Sequence, residues 1–295
     1  MNKYPVYIVS KGRYKNPITA KVFISDNVDF KIVVEPQEYE QYCNALGEGN
    51  VLKLPFSNLG VGGYPARNFC WEHSIKNGHK MHWVFDDNIY RVRRLHKGKR
   101  IPVNSATAMS IIETFIDRYE NIGMAGMNYR YFVNRTTKSP FVRNVHAYSA
   151  LLIRNDVSFR WRLKYNEDVD LNLQFLSNNW CTILFNAFVI DKVTTAAKMK
   201  GGNQDELYKG NNPKKKFIKA KMLHDMWPKY VRITQKFGRY HHDVNWKKHF
   251  DHIKLKRRND INWANINGTD DFGMKLRAVK EVKSDALKKM LNNDD

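Results

Sequence analysis

The chain has 295 residues, 42% of them hydrophobic, which is enough to bury a full core and excludes a disordered polymer. Fifty Lys and Arg against 29 Asp and Glu leave a formal charge of +21 and a pI near 9.8, so the expected partner is a polyanion. No apolar run approaches the roughly 20 residues that span a bilayer, and the first residues carry no signal-peptide pattern, so the expectation is a soluble, cytoplasmic protein with no membrane partner.

In chain order, "YPVYIVS" reads as a strand, "NPITAKVFIS" as a short helix, and "FKIVVEP" as a strand. "PQEYEQYCNAL" reads as a helix with proline in its first turn, and "NVLKLP" as a third strand. The Gly-rich loop "SNLGVGGYP" follows, then a helix, "ARNFCWEHSIKNG", closed by Gly78, and the strand "KMHWVFDD". "SATAMSIIETFIDRYENI" predicts an amphipathic helix with Ser105 as N-cap and Ile111, Ile112, Phe115, Ile116 and Tyr119 on one face. "GMAGMNYRYFV" and "VHAYSALLIRND" read as strands, "NEDVDLNLQFLSNN" as a helix, and "WCTILFNAFVID" as a last strand.

Strands alternating with helices predict an α/β domain over residues 1–200, a mostly parallel sheet flanked by helices. Past it the text is loop-like and basic, "KMKGGNQDELYKGNNPKKKF", then aromatic and basic, and it ends in an amphipathic stretch, "MKLRAVKEVKSDALKKML". No low-complexity linker intervenes, so residues 201–295 are expected to form a basic α+β extension packed on the sheet domain. Cys43, Cys70 and Cys181 form no CxxC pair and are expected to be reduced and buried.

Chemistry concentrates at two places. An apolar strand runs into Asp86, Asp87 and Asn88, which puts oxygen donors where open α/β sheets bind ligands, although these residues also suit an ordinary turn. Glu167 and Asp168 open a helix, a position the macrodipole favours for acids and one that also suits a general base.

Together, "IVSKGR", "GVGGYPARN", "VFDDN", "NEDVDLNLQFL" and a later "KGGN" resemble the GT-A (Rossmann-like) nucleotide-sugar glycosyltransferases. More narrowly, they resemble the TET-associated glycosyltransferases of bacteriophages, over about residues 4–205. The resemblance implies a hexosyl- or pentosyltransferase that moves a sugar from a nucleotide-diphosphate sugar, a UDP-sugar being expected, to the hydroxyl of a 5-hydroxymethylpyrimidine such as 5-hydroxymethylcytosine in phage DNA. It implies donor contacts from Ser10, Lys11, Arg13, Glu35, Gly63, Arg67, Asn68, Asp86 and Asp87. It also implies Asp168, with Glu167 beside it, as the base of an inverting displacement, and a Mn²⁺ or Mg²⁺ at Asp86 and Asn88. His224, His241 or His242 is the candidate to complete the metal shell. Asn88 stands where many GT-A enzymes carry an aspartate, so the site keeps an oxygen but loses a charge, and metal dependence stays open.

Between Ala196 and Arg258 lie 18 basic and 5 acidic residues, interleaved with rings such as Tyr240 and Trp246. Cations suit phosphates and flat rings suit unstacked bases, so Lys214, Lys215, Lys216, Trp227, Arg257 and Arg258 are the candidate DNA contacts. Two other readings stay open on sequence: the same transfer to a glycan or protein, and a non-catalytic DNA-binding protein on a degenerate transferase fold.

Overall fold

The computed structural model describes residues 2–193, 201–202, 213–236 and 238–268. The chain forms two compact units, Met1–Lys256 and Arg257–Asp295.

The first unit is built on a mixed ten-stranded sheet in the order β3-β2-β1-β4-β9-β7-β10-β5-β6, with β8 pairing β10. Its left half is the expected alternation: β1 (Val6–Val9), α1 (Ile18–Ser25), β2 (Lys31–Val34), α2 (Tyr39–Leu46), β3 (Val51–Lys53), α3 (Tyr64–Lys76) and β4 (Met81–Asp86). These four strands run parallel to one another. The order reverses at β1, leaving a crevice beyond the carboxyl ends of β1 and β4, the place where such sheets bind ligands.

The right half holds β5 (Ile89–His96), β6 (Lys99–Pro102), α4 (Ser105–Ile116), β7 (Ile122–Tyr129), β8 (Phe141–Arg143), β9 (Ala150–Arg154), α5 (Glu167–Ser177) and β10 (Cys181–Lys192). Here β9 runs against β4 and β7, while β5 and β8 run against β10. The architecture is therefore the expected α/β sheet with flanking helices, parallel on one side and mixed on the other.

Two details differ from the expected reading. Asn104, not Ser105, caps α4, accepting a hydrogen bond from the Thr107 amide, while Ser105 donates to Asp26. The stretch from His146 to Ser149 is loop, and strand pairing starts only at Ala150.

Residue alternation decides which way the end of β4 faces. Trp83 and Phe85 turn toward α4 and α1, where Trp83 Nε1 donates to Glu113 and Phe85 packs edge-on against Phe23. Val84 turns to the other face, into the core with Tyr7, Cys70, Trp71, Leu171 and Phe175 of β1, α3 and α5. With a side-chain period of two, Asp86 follows Val84 toward α3 and α5.

The segment after the sheet continues in the same unit as α6 (Pro213–Met226), β11 (Val231–Lys236), β12 (Arg239–Val244) and α7 (Trp246–Phe250). It packs on the sheet domain through buried polar ties. Asp170, fully buried on α5, accepts from Trp227 Nε1 at 2.7 Å, from Arg162 at 3.0 Å and from Gln174 at 2.8 Å. The Asn144 amide donates to the carbonyls of Phe250 and Ile253. In the second unit, the described residues include α8 (Trp263–Gly268), with Arg257 over the Trp263 ring and Arg258 paired to Asp260. The C-terminal stretch "MKLRAVKEVKSDALKKML" lies outside the described residues. All three cysteines are free, with Cys70 and Cys181 buried and Cys43 half-buried.

Candidate active site

Asp86 is the hub of the crevice. Its Oδ1 accepts from Arg67 Nη2 of α3 at 2.8 Å, and its Oδ2 accepts from Lys192 Nζ at the end of β10. Register shifts between Asp191 and Lys192, a bulge of the kind that re-aims a side chain beside a site. Lys192 also donates to Ser149 Oγ at 3.0 Å, and Tyr129 bridges to the same serine at 2.7 Å. Burial by itself would raise the Asp86 carboxyl, but Lys192 and Arg67 outweigh it and hold the group well below the usual carboxylate range. Arg67 lies 4.9 Å over the Trp161 ring, and its Nε and Nη1 are buried without a hydrogen-bond partner. Unspent guanidinium donors beside a crevice suit a bidentate anion such as a phosphate.

Across the crevice, the first turn of α5 presents Glu167 and Asp168. Asp168 Oδ2 is 3.1 Å from His146 Nε2, and Glu167 Oε1 is 4.0 Å from Arg67 Nε. The two acids diverge. Burial and the charge of Asp168 push Glu167 up to about 7 against the pull of Arg67. Asp168 would also be raised by burial, but His146 brings it down to about 2. His146 is delivered by Asn172, one turn further along α5, whose amide accepts from the Ala147 amide at 3.0 Å and donates to the Ala147 carbonyl at 2.9 Å. The His146 ring stacks on Trp246 at 6.1 Å with an interplanar angle of 13°.

The expected donor residues divide into those that meet the crevice and those that support it. Lys11 Nζ, Glu35 and Asn58 form one hydrogen-bonded cluster beyond β1 and β2. Ser10, Arg13 and Asp87 are buried under it: Ser10 Oγ donates to Asp87 at 2.6 Å, and Arg13 forms an ion pair with the same carboxylate. Asn68 spends its side chain on the Trp161 backbone, donating at 2.8 Å and accepting at 3.0 Å, so it clamps that segment instead of facing the crevice. Gly63 is the residue that precedes α3. The "KGGN" glycines return to the first loop: Gly202 N donates to Lys11 O at 2.7 Å, and a Cβ on Gly201, whose φ is +84°, would lie 2.8 Å from Gly12 O. Among the sequence-predicted histidines, His242 feels the charges of His146 and Asp168, and burial first of all lowers it. His224 is tied by Nδ1 to the Val231 carbonyl at 2.7 Å. The Trp227 indole N–H is spent on Asp170, which makes it a strut between the two halves of the unit. The side chains of Lys214 and Lys215 lie outside the described residues, and Lys216 is half-buried.

A divalent cation does not fit the donors as they stand. Both Asp86 oxygens are engaged by cations, and Asp87 is turned to Arg13. Asn88 donates to the Val193 carbonyl, and its Oδ1 is sealed from solvent. Among the described residues, no three His, Cys, Asp or Glu side chains converge as a metal site. Lys192 and His146 are the site residues that sequence reading missed. Lys192 directly follows the apolar run "WCTILFNAFVID", and His146 lies inside a segment read as strand, so neither carried a local signal.

A family profile described as TET-Associated Glycosyltransferase matches residues 4–202. Among solved structures, a protein of Desulfovibrio desulfuricans G20 assigned as a nucleotide-diphospho-sugar transferase is 11% identical, with a TM-score of 0.36 over 63% of this chain and 80% of that one. No curated protein matches.

Proposed function

The chain belongs to the TET-associated glycosyltransferases, and from that premise we propose that it moves a sugar from a nucleoside-diphosphate sugar to the hydroxyl of a 5-hydroxymethylpyrimidine in DNA, with inversion. The observation that carries the reading is the pairing of two opposed groups across one crevice. Lys192 and Arg67 offer positive charge at Asp86, and an ionised Asp168 stands with His146 at the helix start opposite.

The chemistry divides between them. The acceptor oxygen attacks the anomeric carbon, the bond from that carbon to the diphosphate oxygen breaks, and the acceptor proton moves to Asp168. Charge develops on the leaving diphosphate, and preorganised donors aimed at that charge lower the barrier. Arg67 keeps N–H groups that make no hydrogen bond, and Lys192 is held beside it by Asp86 and Ser149, so the diphosphate is assigned to two side-chain cations, with no step routed through a metal. His146 keeps Asp168 ionised and oriented, and Glu167, next to Arg67, holds the guanidinium in place. Lys11 and Glu35 stand where the nucleoside would lie, beyond β1 and β2.

The DNA acceptor is supported by the charge of +21 and by the rings near Asp168, of which Trp246 stacks on His146. A target base in a duplex would have to leave the stack to reach this crevice. Incubating the protein with hydroxymethylated DNA and a panel of nucleotide sugars, then digesting to nucleosides for mass spectrometry, tests the reading. A hexose or pentose mass added to the hydroxymethylated nucleoside is expected. Donor turnover on glycans or proteins with none on DNA would refute the acceptor.

A further inference from the structure

Residues 89–104 and 129–145 carry ten Lys and Arg and no Asp or Glu, a second concentration of positive charge besides the C-terminal segment. The first stretch is the β5–β6 hairpin at the open edge of the sheet, and all four residues of β6 are exposed. The second holds a 3₁₀ turn, Arg130–Phe132, and the loop after it. The two are joined: Arg100 Nη1 donates to the carbonyls of Arg130 and Val133 at 3.1 and 3.0 Å, and Arg93 and Arg130 share the carboxylate of Asp191. The tip of the hairpin, Gly98, packs against the Arg135 backbone.

Lysines alone would be the ordinary way to stop an edge strand from pairing with another chain. Two exposed aromatic rings do not serve that purpose. Tyr131 is 71% exposed and Phe132 is 67% exposed, in the middle of the cations. The patch also abuts the crevice. Phe132 stacks on Tyr129 at 5.9 Å, and Tyr129 bonds to Ser149, the serine that holds Lys192. Cations that meet phosphates, interleaved with rings on which bases stack, are the chemistry of single-strand nucleic-acid surfaces.

We propose that the β5–β6 hairpin and residues 129–138 form a docking surface for an unpaired stretch of the acceptor DNA, with Tyr131 and Phe132 stacking on bases and Lys97, Lys99 and Arg135 contacting phosphates. This rests on the DNA-acceptor reading above and adds the strand's path, from the sheet edge to the Tyr129 side of the crevice. A base unstacked on these rings is already out of the duplex when it reaches Asp168.

The test is fluorescence anisotropy of a labelled hydroxymethylated single-stranded oligonucleotide against the full chain over a salt series. Three proteins are compared: wild type, the triple variant Lys97→Ala, Lys99→Ala, Arg135→Ala, and the double variant Tyr131→Ala, Phe132→Ala. The triple variant is expected to flatten the log-affinity against log-salt slope by about 0.7 for each phosphate that no longer meets a cation. The double variant is expected to lose affinity by about 10-fold or more with an unchanged slope. Calorimetry with nucleoside diphosphate should give wild-type affinity for both, which establishes that the crevice is folded. Wild-type DNA affinity and slope in both variants would overturn the surface while leaving the acceptor reading intact. A wild-type protein that binds no oligonucleotide, or that prefers phosphatidylserine vesicles to DNA, would overturn both.

Discussion

Replacing Glu167 by glutamine keeps the shape of the side chain and removes its charge, and the structure sets the size of the consequence. Burial and the neighbouring Asp168 carboxylate push Glu167 from an ordinary 4.5 up to about 7. A carboxyl raised on folding binds more protons in the native state than in the unfolded one between those values. Its contribution to stability is therefore whole below about 4.5 and is lost as pH rises through about 7. At roughly 1.4 kcal/mol per pH unit the loss is about 3.5 kcal/mol at most. Because 25% of the side chain meets solvent, screening reduces that to on the order of 2 kcal/mol. The Glu167→Gln variant should thus match wild type in urea unfolding at pH 4 and exceed it by about 2 kcal/mol at pH 8, since the other titrating groups cancel in the difference. Its turnover should fall, because Arg67 loses the carboxylate 4.0 Å away that holds it. A stability difference equal at the two pH values, or a variant weaker than wild type at pH 8, would refute the idea that the fold strains against this charge.

Asp168→Asn should cut turnover by on the order of 10² or more while leaving nucleoside-diphosphate affinity near wild type, as expected for loss of a general base. With Asp168 held at about 2, wild-type turnover should show no acid limb of its own near neutrality, and a limb near pH 7 would move the base to Glu167. Lys192→Met should weaken nucleoside-diphosphate binding in calorimetry, with Lys192→Arg recovering most of it, and wild-type turnover should persist in EDTA. Activity abolished by EDTA and restored by Mn²⁺ would return the diphosphate to a metal. Gly201→Ala should lower the thermal midpoint and weaken donor binding, because a Cβ there meets the Gly12 carbonyl at 2.8 Å and displaces the loop that carries Lys11; an unchanged protein would show that the "KGGN" contact is incidental.

Much of this architecture was legible from local pattern. Short continuous apolar runs marked β1, β2, β4 and β10, and the run ending in Asp86 and the acids opening α5 both lie where the short motifs put them. The β5–β6 hairpin was not legible: its strands are loaded with arginine instead of alternating apolar residues, and its turn is Lys97-Gly98, both at positive φ. What holds β5 in the sheet is its antiparallel pairing with β10, about a hundred residues away in the chain. The candidate site divides in the same way. Asp86 is singled out from Asp87 only once β4 is known to turn Val84 toward α3, which sends one acid to Arg67 and the next to Arg13. Lys192 and His146 reach their carboxylates by a bulge at the end of β10 and by an asparagine clamp on α5. Periodicity reports which side of its own element a residue occupies. Which distant charge it meets there is set by how strands and helices pack, and in this crevice that packing put an ammonium and a guanidinium on the carboxylate whose sequence context suggested a metal ion.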